Sequence, residues 1–174
     1  MMSDDAPRPL ADRGSIHILI VEDDPKAADL IQAWLEPVGY QLQVVRSEAE
    51  ALAALKHDVP DLVILDLLLE DGRDVDKPRG YEVCRHLRAD PRTEDVPVLM
   101  FTVLDELEKI ERGVEVDADD YMLKLSSSRD VLFHIESLLR VRHIKKRADR
   151  MIAYLRLLEE GPGETPGPPS PGGT

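Results

Sequence analysis

Ile16-His-Ile-Leu-Ile-Val-Glu-Asp-Asp-Pro25 decides the fold. Its first six residues form a short apolar run, and three acids and a proline follow at once. A run of that length, without polar alternation, reads as a strand buried on both faces. Leu62–Leu65 and Val96–Phe101 read the same way, and Gln41–Val45 and Asp120–Leu123 are weaker strand candidates. Between them, Lys26–Leu35, Glu48–Lys56, Tyr81–Ala89 and Glu106–Val114 carry apolar residues at helical spacing. Ala28, Ile31 and Leu35 share one face, and Ala51, Leu52 and Leu55 another. A last helical run starts near Arg129.

Strands alternating with helices predict an α/β fold: a doubly wound, five-stranded parallel sheet with helices on both faces. The flavodoxin-like order 2-1-3-4-5 puts the working site at the carboxyl ends of the strands, near the switch point. The residues there are Glu22, Asp23 and Asp24 after the first strand and Asp66 after the third. Thr102 and Lys124 end the fourth and fifth. Clustered carboxylates repel one another and gain proton affinity unless a cation joins them. Mg²⁺ suits them, because it takes one or two carboxylates and leaves room for a phosphate. An ammonium and a hydroxyl suit that phosphate. Phosphoryl transfer needs mainly positioning and charge neutralisation.

Four segments then match one family in order and spacing: Ile18-Leu-Ile-Val-Glu-Asp-Asp24, Pro60-Asp-Leu-Val-Ile-Leu-Asp66, Pro97-Val-Leu-Met-Phe-Thr102 and Ala118-Asp-Asp-Tyr-Met-Leu-Lys124. Over roughly residues 15–140 the chain resembles the response-regulator receiver domains of two-component signalling. The resemblance implies that Asp66 is the phosphoacceptor. It implies that Glu22, Asp23, Asp66 and the backbone carbonyl of Leu68 hold Mg²⁺, and that Lys124 pairs with the acceptor and then with the phosphate. Thr102 would bond the phosphoryl oxygen, and Tyr121 would hold the aromatic switch position. It also implies a sensor histidine kinase or phosphotransfer protein as donor. A downstream effector protein would read the face around the last strand, biased by one new charged ligand.

Single residues also carry plainer readings. Asp66 alone could cap a turn, and Glu22 or Asp23 could cap the helix at Pro25. Asp24 suits that cap better, with Pro25 at the first helical position. Tyr121 could simply be a half-buried strand aromatic. Cys84 reads as core or boundary, and Trp34 as packing for the first helix. The scattered histidines lack ligand spacing.

Three positions depart from the family. Receivers usually carry Pro four residues past the acceptor, where this chain has Glu70. The loop within Glu70–Arg79 is about six residues longer than usual, and the family's glycine falls on Gly80. The insertion either shapes kinase choice and phosphate lifetime or is a tolerated surface loop. Leu125 stands where a cis proline follows the lysine. A non-proline cis bond costs about 2.5–4 kcal/mol, so Leu125 is either trans with a rearranged loop or strained. Asp117 stands where a turn glycine is common, and Asp tolerates the left-handed region better than most residues.

The flanks differ from the core in composition. Residues 1–14 read as a flexible segment and 161–174 as a disordered Pro/Gly-rich tail. Too few residues remain past 140 for a DNA-binding or cyclase effector. Instead Val141, Ile144, Ala148, Met151, Leu155 and Leu158 recur at three and four residues. That predicts a helix continuing to about Glu160, over 141–160, that pairs two chains as a homodimer; the plainer reading is a helix that folds back on its own domain or frays without its partner. The basic residues of Arg140–Arg150 read as a solvated face.

The net charge of −13 argues against non-specific nucleic-acid binding. No apolar stretch approaches the roughly 20 residues of a bilayer span, and nothing at the start reads as a signal peptide. A single cysteine excludes an internal disulfide, and the expected location is the cytoplasm. Two other functions fit parts of the sequence. One is a phosphorylation-independent dimeric scaffold. The other is a phosphatase using an aspartyl phosphate, disfavoured because such enzymes want a second Asp where Leu68 stands. The chain is read as a signalling module and not an enzyme.

Overall fold

The computed structural model describes residues 5–10, 12–69, 79–103 and 117–163. Five parallel strands, β1 (His17–Val21), β2 (Gln41–Val45), β3 (Leu62–Leu65), β4 (Val98–Thr102) and β5 (Asp120–Leu123), form one sheet in the order β2-β1-β3-β4-β5. The described helices are α1 (Pro25–Leu35), α2 (Glu48–His57), α3 (Arg79–Ala89), α4 (Ser128–Val141) and α5 (Arg147–Glu160). The helix expected over Glu106–Val114 lies outside the described residues, as does most of the enlarged loop after Glu70.

The apolar runs lack alternation because both faces of the sheet are covered. Ile18 and Ile20, Leu62 and Ile64, and Leu99 and Phe101 enter one core with α1, α4 and α5. The intervening Leu19 and Val21, Val63 and Leu65, and Val98 and Met100 enter the other, with α2 and α3. Trp34 meets Phe101 edge-on, with ring centroids 6.3 Å apart. Cys84 is buried in the second core. Asp24 caps α1 by accepting from the Lys26 amide, with Pro25 in the first turn.

The N-terminal segment and the C-terminal helix differ from the expectation, and most of the Pro/Gly-rich tail lies outside the described residues. The amide of Arg8 donates to the Arg140 carbonyl at 2.8 Å, Leu10 packs on the first core, and Arg13 pairs with Glu136. The described part of the first 14 residues is therefore tied to α4. The last helix is not continuous either. α4 ends at Val141, the chain turns, and α5 folds back on its own domain. Val141 and Ile144, expected on an intermolecular seam, are each 1% exposed within the first core. No Gly or Pro breaks the helix. The turn is held from a distance: buried Arg150 donates to the Ile144 carbonyl at 2.7 Å and reaches Asp95 at 3.3 Å. A carbonyl in the turn between α4 and α5 thus gains a charged partner.

α5 is also fixed to β5. The Tyr154 hydroxyl donates to the Asp120 carboxylate, and His134 Nδ1 lies 2.6 Å from the same oxygen. Burial, reinforced by Asp120, holds the Tyr154 hydroxyl far above its ordinary pKa, so it remains a donor. Tyr154→Phe removes a charge-assisted bond from a half-buried carboxylate. It should cost about 1–3 kcal/mol in urea unfolding; an unchanged midpoint would show that the contact carries no stability.

Candidate functional site

The strand ladders run one residue past β1, β3 and β5, and this fixes the site. The Glu22 amide donates to Val45 O at 3.0 Å, Asp66 N to Val21 O at 2.9 Å, and Lys124 N to Thr102 O at 2.8 Å. Each functional side chain therefore leaves from a backbone already locked to its neighbour. β1 and β3 are adjacent, so Glu22, Asp23 and Asp66 converge, with one carboxylate oxygen from each within 4.8 Å of the others. Glu22 and Asp66 are buried and Asp23 is half-buried.

Lys124 Nζ stands 3.1 Å from Asp66 Oδ2 and 2.9 Å from Glu22 Oε2. The second contact was not anticipated, although the adjacency of β1 and β3 would have signalled it. Burial lowers the ammonium's proton affinity, but Asp66 and Glu22 outweigh it and keep Lys124 above its usual range. Burial, with Glu22 alongside, pushes Asp66 up to about 8, against the pull of Lys124. One ammonium does not neutralise three carboxylates. A hard divalent cation with oxygen ligands fits this donor set.

Leu68, the expected source of a carbonyl ligand, is half-buried beside the acceptor, and its amide donates to Asp66 Oδ1 at 3.2 Å. Thr102 ends β4, fully buried. Tyr121 lies on β5, half-buried against the second core beside Tyr81 and Cys84, and burial pushes its hydroxyl up to about 12.

The departures resolve locally. All described peptide bonds are trans, and Leu125 is 93% exposed. Its side chain points away from the cluster, and Lys124 reaches Asp66 without a proline. Asp117 is not left-handed, because only Gly39 and Gly161 have positive φ among the described residues. The chain re-enters the fold at Gly80, whose amide donates to Leu67 O at 3.0 Å. A Cβ there would collide with the carbonyl oxygen of Asp66 and lie 2.7 Å from that of Leu67.

Sequence reasoning missed Asp119. It accepts from Arg88 and from the Val98 amide, each at 2.8 Å, and ties β5 to α3 and β4. Residues about 20 and 30 positions apart give no local signal for such a clamp.

Comparison with known proteins matches this geometry. Residues 18–136 match the response regulator receiver domain. The chain is 37% identical over 149 residues to the DNA-binding dual master transcriptional regulator RpaA of Synechocystis sp., covering 83% of this chain and 56% of that protein. It is 35% identical over 131 residues to the transcriptional regulatory protein BaeR of Escherichia coli, covering 74% and 50%. The chain thus spans about half the length of these curated relatives. The signal receiver domain of a histidine kinase from Syntrophus aciditrophicus superposes with a TM-score of 0.64 at 34% identity, covering 76% of this chain and 94% of that one. No described helix is long and apolar enough to cross a membrane. With a sheet of this order, acids and a lysine meeting at its carboxyl edge, and a family match over most of its length, this chain belongs to the response regulator receiver domain family.

Proposed function

We propose that the chain is a phosphorylation-dependent regulator that takes a phosphoryl group onto an Asp66 carboxylate oxygen. A phosphohistidine on a sensor kinase or phosphotransfer protein would supply it. The observation that carries this reading is the Asp66–Lys124 pair, with Glu22 and Asp23 beside it. Asp66 attacks phosphorus, the bond from phosphorus to the donor nitrogen breaks, and the leaving imidazole keeps the electron pair. Lys124 holds the acceptor before transfer and a phosphoryl oxygen after it. Mg²⁺ held by Glu22, Asp23, Asp66 and the Leu68 carbonyl would neutralise charge on the carboxylates and the phosphoryl oxygens. Thr102 would bond the phosphoryl oxygen, and Tyr121, on the neighbouring strand in register with Met100, would report the change through β5. We assign the readout to a downstream protein in the cytoplasm. No nucleic-acid contact is assigned, because Arg147 and Arg150 are engaged with Asp117 and Asp95.

The scaffold alternative rested on Leu125 and the enlarged loop; most of the loop lies outside the described residues, and the 3.1 Å contact of Lys124 with Asp66 speaks against the first ground. The test is incubation with acetyl phosphate and Mg²⁺, followed by intact mass. One phosphoryl group is expected, absent when EDTA replaces the metal. No adduct from acetyl phosphate or from a phosphohistidine donor would sink the proposal.

A further inference from the structure

Folding α5 back on its own domain buries one side of it and leaves the other uncovered. Ala153, Tyr154 and Leu157 are buried, whereas Ile152 and Leu155 are 49% and 50% exposed. Ala148, Ile152, Leu155 and Glu159 are all exposed and, at positions i, i+4, i+7 and i+11, share one face. The apolar pair sits at the middle of the 14-residue helix. Lys145 and Lys146 lie just before its start, where Arg147 is paired with Asp117, and Glu159 and Glu160 lie at its end. Asp149 and Arg156, seven residues apart, flank the apolar pair on one side.

We infer that the exposed face of α5 binds a second copy of this chain, antiparallel, about a twofold axis between Ile152 and Leu155. A twofold contact demands a self-complementary patch, and this pattern meets that demand. Ile152 would face Leu155 of the second copy, and small Ala148 lets the ends approach. The basic start of each helix would meet the acidic end of the other. Asp149 would meet Arg156 of the second copy twice, within about two residues of register. Opposed helix dipoles add to the preference. A parallel arrangement would instead set like charges side by side. The intrachain pairs of Lys145 with Asp95 and Lys146 with Asp149 are long, at 4.0 and 3.5 Å, and their lysines are 86% and 78% exposed. Such pairs exchange readily. Two helices of this length bury less than about 1,200 Å², so pairing is a concentration-dependent equilibrium. The inference does not depend on phosphoryl transfer, and it shares only Ala148 and Leu155 with the seam read in the sequence.

Sedimentation equilibrium of the whole chain, from about 10 μM to about 1 mM, tests it. A monomer–dimer equilibrium is expected. Leu155→Lys should abolish the dimer. Asp149→Arg and Arg156→Glu should each weaken it about tenfold or more, and the double variant should recover most of that loss. All these positions are on the surface, so unchanged circular dichroism and melting temperature will show that the fold is intact. A chain monomeric throughout the range, or a double variant no better than the singles, overturns the proposal.

Discussion

Asp66→Asn is expected to abolish phosphoryl uptake from acetyl phosphate completely and, without metal, to make the protein more stable. The first effect is chemical, because an amide oxygen is a poor nucleophile and Asn cannot form the acyl phosphate. The second follows from electrostatics. In the folded chain Asp66 is buried beside Glu22, and its pKa rises to about 8 from 3.8. The folded state therefore holds a proton that the unfolded chain releases. That contribution to stability is present in full below about 4 and is lost as the pH rises through about 8. As the pH rises toward and past about 8 the parent thus comes to carry a carboxylate pair sharing one ammonium, while Asp66→Asn leaves Lys124 with Glu22 alone. The stability difference between Asn and parent should widen with pH across that window in EDTA and shrink when Mg²⁺ is added. A pH-independent difference would show that Asp66 is not strained by its neighbours, and a surviving adduct would move the acceptor elsewhere.

Gly80→Ala is expected to destabilise the protein by about 3 kcal/mol or more, at the upper end of overpacking effects. The added methyl would collide with the Asp66 carbonyl oxygen and stand 2.7 and 2.8 Å from Leu67 O and Cα. All three are backbone atoms at the carboxyl end of β3, and no side chain can rotate to make room. Either α3 lifts from the sheet or the acceptor strand moves. Phosphoryl uptake should therefore fall together with the melting temperature. Gly163→Ala, where nothing lies within 4 Å of the added carbon, is the matched control. A Gly80→Ala protein that melts with the control would mean that α3 stands farther from β3 than described.

Gly80 also shows how far the sequence reached. Its correspondence to the family glycine was legible across a longer loop, but the reason for it was not. The close approach exists only because α3 packs over the end of β3. The five strands were legible because burial on both faces leaves a local mark, runs such as Leu62–Leu65 without polar alternation. The acids and the lysine were legible because parallel strands send their carboxyl ends to one edge. That rule does not depend on side-chain detail.

The C-terminal helix obeyed no such local rule. Val141, Ile144 and Leu155 share a helical period, and that period by itself determined that the segment is helical and amphipathic. It could not say which surface the apolar residues meet, nor that the helix stops at Val141. Those were decided by residues far away in the chain: Asp95 holding Arg150, Asp120 holding Tyr154, and the open flank of α4. The site's charge balance was settled the same way, because Lys124 reaches Glu22 only when β5 and β1 share a sheet. Periodicity and strand order are written locally, since they depend on how each residue partitions from water. Which partner a face or a charge finds depends on surfaces that exist only once the chain has folded.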